Sequence, residues 1–303
     1  MGILRLGYVH VRAQDLERTR DYYENTLGLS LVRREPGRLF FKGWDEWDHH
    51  HLVLEPGGAG IVKFGLKVAS PEDLERFEAG LERFGLAPRR MSAGETYAVG
   101  EGVRVVLPSG HTMELYHDIE FLGTAVGTLN PPPRPRHWPG VGVSRLDHAL
   151  LTAEDPALIE RLFTEVLGFH VSHRLVTDVG PKGRLVATWL FVTHKSHDLA
   201  FIQGQPGKLH HFAYRLLDWD AVRRAGEILS MDDVPVVFGP DVHGLTRGQT
   251  IYCLDPAGNR NELFAGDVET AADFPTITWT TDQIRHASYI ARFLREHHFS
   301  SVT

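Results

Sequence analysis

Two histidines and one carboxylate, each inside a short apolar stretch that reads as a β-strand, mark where this chain can carry chemistry: His148 in LDHALL, His211 in LHHFAYRL and Glu262 in NRNELF. A pair of neutral imidazoles with one carboxylate is the donor set that grips Fe(II) on one face and leaves the other positions open, so it points to oxygen chemistry. Taken singly, each of the three reads as an ordinary polar group on a strand face or rim. Their combination is what points to a metal. His210 adjoins His211, and aligning LHHFAY with LDHALL puts the second histidine of the pair in register with His148. Alternation along a strand then sends His210 to the opposite face and leaves His211 as the ligand. Two other clusters compete. His49, His50 and His51, read as strand neighbours, face alternate sides and cannot all converge. His297 and His298 read as a solvated helix end.

The elements that must position these residues come from a duplication. YVHVRAQDLERTRDYYENTLGLSLVRR near the start resembles LDHALLTAEDPALIERLFTEVLGFHVSHR in the second half. His10 matches His148 at an offset of 138 and Leu27-Gly28 matches Leu167-Gly168 at 140. The offset then becomes 148 for Phe64 and Phe212, Pro108 and Pro256, Gly110 and Gly258, and Glu114 and Glu262. The step from 140 to 148 places about eight extra residues in the second copy, within VTDVGPKGRLVATWLF. The same offset sets His49 opposite His197. It also puts Lys63 where the second copy has His211, and an ammonium has no lone pair for a metal. One metal per chain, in the second copy, is the expectation.

Each half divides again into two units of strand, helix and three strands. DLERTRDYYENTLG, PEDLERFEAGLERFG, ALIERLFTEVLG and DWDAVRRAGEILS carry apolar residues at helical spacing, and the strands between them alternate. The fold class is α+β, two tandem domains of two βαβββ modules each. Residues 1–122 form the first domain, the proline-rich 123–143 a linker, 144–275 the domain with the candidate ligands, and 276–303 a strand (TITW) with an amphipathic helix (QIRHASYIARFLREHH).

Around the candidate ligands the chain resembles the type I extradiol dioxygenases of the vicinal oxygen chelate superfamily, and among them the catechol 2,3-dioxygenases. The likeness runs over nearly the whole chain and is densest in LDHALL, THKSHDLAFI, LHHFAYRL, HGLTRGQTIYCLDPAGNRNELF and TWTTDQ. A histidine, then a tyrosine, then D-P-x-G-x-x-x-E is the family's signature, met by His243, Tyr252, Asp255, Pro256, Gly258 and Glu262. The family is built of paired βαβββ modules, in agreement with the repeat. The resemblance implies Fe(II) on His148, His211 and Glu262, and acid-base chemistry at His197, because O–O cleavage takes a proton. It also implies hydrogen bonds from His243 and Tyr252 to the catechol oxygens, and a ring pocket walled by Leu150, Ile202, Leu245 and Phe299. Asp255 is assigned to the DPAG turn alone.

The implied reaction is extradiol cleavage of a catechol by O2 to a 2-hydroxymuconate semialdehyde. Leu150 and Ala213 flank the ligands without a cation for a substrate carboxylate, which favours catechol or an alkylcatechol over 3,4-dihydroxyphenylacetate. 2,3-Dihydroxybiphenyl stays open, as does a metal-dependent isomerase or thiol transferase of the superfamily, which would need a fourth protein ligand. A non-catalytic binding protein would be favoured had the histidines been lost. Fe(II) against Mn(II) is open as well. Of 303 residues, 42% are hydrophobic and 23% charged; net charge is −7 with scattered basic residues, so no nucleic-acid footprint is present. The start lacks a secretory pattern, no stretch approaches a membrane span, and Cys253 is the only cysteine, so a cytoplasmic protein is expected. The resemblance implies a homotetramer.

Overall fold

The computed structural model describes residues 2–290 and 302–303. The first half contains β1 (Ile3–Ala13), α1 (Leu16–Asp21), β2 (Ser30–Glu35), β3 (Arg38–Lys42) and β4 (Leu52–Pro56), then β5 (Ile61–Val68), α2 (Pro71–Arg83), β6 (Arg89–Met91), β7 (Gly102–Val106) and β8 (Thr112–Tyr116). The second contains β9 (Leu146–Ala153), α3 (Pro156–Glu165), β10 (His170–Val176), β11 (Leu185–Phe191) and β12 (Leu199–Gln203), then β13 (Leu209–Arg215), α4 (Trp219–Met231), β14 (Val236–Val242), β15 (Gly248–Leu254) and β16 (Arg260–Gly266). The four βαβββ units are thus present. They pair into an eight-stranded sheet, β2-β3-β4-β1-β5-β8-β7-β6, and a sheet of the same order, β14-β15-β16-β13-β9-β12-β11-β10, extended by β17 (Ile277–Thr280). Each sheet is seamed where its two units meet antiparallel, β1 with β5 and β9 with β13.

Local chemistry starts the helices where the patterns place them. Asp15, Ser70, Asp155 and Asp218 accept hydrogen bonds from the first-turn amides, and Pro71 and Pro156 occupy first-turn positions where no amide is needed. The helices bury one stripe each, Leu74, Phe77 and Leu81 on α2 and Ile159, Leu162 and Phe163 on α3. The main apolar core takes residues from both sheets, including Val9, Phe64 and Leu115 of the first and Leu151, Phe212 and Leu263 of the second. Tyr22 donates to Asn261 at 2.9 Å and Tyr23 to Asp255 at 3.0 Å, so Asp255 is a structural acceptor between the halves.

Because side chains alternate, the other face of the second sheet carries a second apolar cluster, with Leu150, Leu175, Trp189, Ala200 and Leu245. This face holds the candidate site. Most of the extra residues of the second copy lie where expected: residues 36–37 join β2 to β3, whereas 177–184 join β10 to β11.

The C-terminal segment differs in part from its sequence pattern. β17 forms and pairs with β10, but the helix read from Gln283 is, as far as it is described, a 3-10 turn over Ile284–Ala287. Ser288 bridges to His243 and donates to Asp241, and the amides of Tyr289 and Ile290 bond Val242 and Asp241, so groups a helix would use are committed to β14. The rest of that helix, with His297, His298 and Phe299, lies outside the described residues. His49, His50 and His51 are not on a strand either. They form the buried approach to β4, where His51 Nδ1 accepts from the amide of Gly43 at 3.3 Å. No described helix is long and apolar enough to cross a membrane.

Candidate metal centre

β16, β13 and β9 are neighbours at the middle of the second sheet, and each carries one member of the triad. His211 lies opposite Leu150, two residues along from His148, and Ala213 lies opposite Glu262. One ligand atom from each residue falls within 4.8 Å of the others. His148 Nε2 and His211 Nε2 are each 2.9 Å from Glu262 Oε2 and 3.4 Å from one another. The far side of each ring is held: His148 Nδ1 is 2.8 Å from Asp147 Oδ1, and His211 Nδ1 is 2.7 Å from His210 Nδ1. Thr250 donates to the second oxygen of Glu262 at 2.5 Å. Three buried donors converge with their remaining atoms tied down, a set that fits a divalent cation.

The electrostatics agree with that fit. Burial alone would raise the Glu262 carboxyl, but His211 and His148 hold it well below the usual range. Burial alone would lower His148; Glu262 and Asp147 instead push it up to about 9. His211 is lowered to about 4 by burial, against the pull of Glu262. Without a metal, protons share the site, and a metal displaces them.

The first sheet shows what the duplicate lost, and here the register corrects the sequence alignment. Phe64 pairs with Val9 and Lys63 with His10, whereas Phe212 pairs with Ala149 and His211 with Leu150. The offset on this strand is therefore 140, and Tyr8, not His10, stands in the place of His148. Likewise Leu52 opposes Val9 as Leu199 opposes Ala149, so His50, not His49, is the counterpart of His197. Matching histidine to histidine had slipped β1 by two residues and the approach to β4 by one. Tyr8 donates to Glu114, Lys63 Nζ lies 2.8 Å from it and Arg104 Nη2 2.6 Å. Two fixed cations neutralise the carboxylate there, and Tyr8 replaces an imidazole.

Beside the triad is a cavity of about 120 Å³. Leu150, Ile202 and Leu245 line it, together with Leu175, Trp189, Phe264 and Ile284, which sequence reasoning missed. The signal available was alternation, since Leu175 and Trp189 stand on strands paired in series with β12 and β9. His197 is buried in the loop before β12, with its ring centroid 4.0 Å from that of His148 and Ser196 Oγ 2.8 Å from its Nδ1. Burial first, then the neighbouring His148, lowers its pKa well below the usual value. His243 Nε2 and Tyr252 OH are 3.1 Å apart on the cavity wall, and Tyr252 lies opposite Glu262. The hairpin that carries His243 and Leu245 turns through Thr246 and Arg247 at φ 61° and 60°, left-handed positions held by the Val268 amide on Thr246 O at 2.8 Å. His210 lines the cavity too, contrary to strict alternation, because the β13–β9 register shifts between Leu209 and His211. It is not among the three converging donors; its Nε2 faces Arg260 at 3.0 Å.

Residues 145–263 match the glyoxalase/bleomycin resistance protein/dioxygenase superfamily, and residues 63–120 match the catechol 2,3-dioxygenase-like N-terminal domain. The chain is 38% identical to a metapyrocatechase of Pseudomonas sp. (strain CF600), covering 100% of this chain and 99% of that one. It is 28% identical to a manganese-dependent 2,3-dihydroxybiphenyl 1,2-dioxygenase of Geobacillus genomosp. 3, covering 93% and 92%. Among solved structures, the 2,3-dioxygenase LapB from Pseudomonas sp. KL28 shares 41% identity at a TM-score of 0.89, over 93% of this chain and 99% of that one. Paired βαβββ sheets, with one converging His/His/Glu group among the described residues, and these likenesses set the class, a metal-dependent dioxygenase fold. The chain belongs to the extradiol dioxygenases of the vicinal oxygen chelate superfamily, as an enzyme of the catechol 2,3-dioxygenase type.

Proposed function

We propose that this enzyme uses one Fe(II) per chain and O2 to cleave catechol or an alkylcatechol beside its two hydroxyls, giving a 2-hydroxymuconate semialdehyde. The observation that carries the substrate reading is the cavity: about 120 Å³, walled by Leu150, Leu175, Trp189, Ile202, Leu245 and Phe264. A cavity of roughly 150 Å³ lined by such side chains holds a benzene ring. Among the described residues no lysine or arginine lines it, so a ring carboxylate would go unpaired. A cavity of this size favours a single ring over a biphenyl diol.

His148, His211 and Glu262 would hold the metal. When bound, it supplies Lewis acidity that lowers the phenol pKa and a point where substrate and oxygen meet. The apolar wall orients the ring and excludes water. Tyr252 stays protonated, since burial and then the charge of Glu262 raise its pKa well above the usual value; with His243 it can hold a catechol oxygen. His197 is neutral, and with Nδ1 engaged by Ser196 it takes and returns protons at Nε2. A fourth protein ligand, which the isomerase reading needs, is absent from the converging group among the described residues. A cytoplasmic homotetramer belongs to the same reading.

Protein purified anaerobically, analysed for metal and mixed with catechol in air should turn yellow in proportion to its iron. Bound manganese with no iron would replace the metal assignment. Metal-loaded protein that leaves catechol intact but opens a biphenyl diol would replace the substrate.

A further inference from the structure

The loop between β11 and β12 carries His197, and Lys195 reaches from it to β9. Its ammonium donates to the backbone carbonyl of Asp147, lies 3.8 Å from Asp147 Oδ1 and 3.3 Å from Asp198 Oδ1. Asp147 Oδ1 in turn is the partner of His148 Nδ1 at 2.8 Å, and Arg215 is 3.5 Å from its other oxygen. Two residues beyond Lys195, the ring of His197 packs on the ring of His148.

We infer that Lys195 is a positioning residue that sets two functional groups at once, fixing Asp147 behind His148 and pinning the His197 loop to the strand that bears this ligand. The inference rests on the reading of His148 as a ligand and His197 as the proton-transfer group. Three physical points carry it. Asp147 is 4% exposed and Asp198 0%, and burying a carboxylate is costly unless a cation and hydrogen bonds accompany it. A lysine offers three donors from one compact centre, and three oxygens surround this one. Lastly, a metal-binding histidine held by a carboxylate at its other nitrogen keeps its orientation and basicity, and loss of such a partner weakens metal binding about 10- to 100-fold. The rest of the loop is anchored independently, by Thr270 Oγ1 on the Lys195 carbonyl at 2.7 Å and the Ser196 amide on Asp267 at 3.1 Å. Losing the ammonium should therefore loosen the Asp147–His148–His197 alignment without unravelling the loop.

The test is a double-mutant cycle in the full chain, read as Fe(II) affinity of the chelator-stripped protein under anaerobic conditions, with circular dichroism as the fold control. Lys195→Met is expected to weaken Fe(II) binding about 10- to 100-fold. Asp147→Asn should do the same, and the double variant should lose no more than Asp147→Asn alone, because Lys195 acts on His148 through Asp147. In the reloaded Lys195→Met enzyme, kcat should fall more than KM changes. Lys195→Arg keeps the charge without placing three donors at one point; it should lose affinity to a lesser degree and carries the test if the methionine variant does not fold. Additive losses in the cycle, or unchanged Fe(II) affinity in folded Lys195→Met and Lys195→Arg, overturn the inference. His148→Ala separates this from failure of the ligand reading: if it retains the metal, the ligand assignment falls and the inference with it, whereas if it alone loses the metal, only the role of Lys195 falls.

Discussion

Replacing His197 by phenylalanine asks whether this residue holds the metal or serves the reaction. The imidazole is neutral because burial and His148 depress its pKa, so the substitution removes no charge from beside the ligands. Phenylalanine keeps a ring against His148, where the centroids are 4.0 Å apart, and loses the 2.8 Å bond to Ser196 Oγ. Ser196 is 0% exposed, so its unpaired hydroxyl costs about 1–3 kcal/mol, tolerable against the roughly 5–15 kcal/mol of a typical domain. Metal content should therefore stay near that of the parent. The lost proton transfer should slow turnover about 100- to 10,000-fold, or roughly 2.7–5.5 kcal/mol in the barrier. The assay is ring cleavage followed by absorbance at varied catechol and O2, with metal analysis on the same samples. A fall in kcat with little change in KM for catechol is the expected pattern. Loss of metal would make His197 a ligand, and undiminished turnover would leave it a packing residue.

Metal analysis should give one ion per chain, abolished by Glu262→Gln and unaffected by Glu114→Gln; an ion that survives the first or is lost with the second refutes the assignment to the second sheet. Glu114→Gln should still lower stability by about 3 kcal/mol in a denaturant titration, because Lys63 and Arg104 would face each other without their carboxylate. His211→Ala should lose metal and turnover while His210→Ala keeps most of both; the reverse result would place the ligand one residue earlier. Leu245→Ala should shift preference among substituted catechols by about 1–3 kcal/mol in relative kcat/KM, and an unchanged profile with metal retained would remove Leu245 from the ring wall. The metal-free protein should melt at lower temperature as pH rises through about 9: His148 is raised in the folded state, so its contribution is full below its unfolded value of roughly 6.5 and is lost above the folded one. Glu262 is depressed when folded, so its contribution is present above roughly 4.5 and lost in acid. Metal-loaded protein lacks the alkaline loss, and equal alkaline melting shifts for the two forms would refute the proton-sharing account.

The residue types decided much of this protein before any coordinates. Imidazole and carboxylate donors in apolar strands announce a metal because few other chemistries keep them there, and a lysine in the matching position of the duplicate announces its loss. Hydrophobic period and capping residues place four helices and nearly all the strands, since these are local effects. Hydrogen-bond register is not local. Tyr8 occupies the place of His148 because the offset of 140 seen at Leu27-Gly28 runs back through β1, which the strand pairing fixes and a match of histidine to histidine hides, and a register shift at Leu209–His211 turns His210 into the cavity. The wall from Leu175, Trp189 and Ile284, the seat of His197 against His148, and the reach of Lys195 to Asp147 join segments far apart in the chain. The sequence alone determined which side chains can do the chemistry, because that follows from their donor atoms. Only the tertiary structure decided which of them meet, because that depends on how strands shift past one another and on which face each bulge presents.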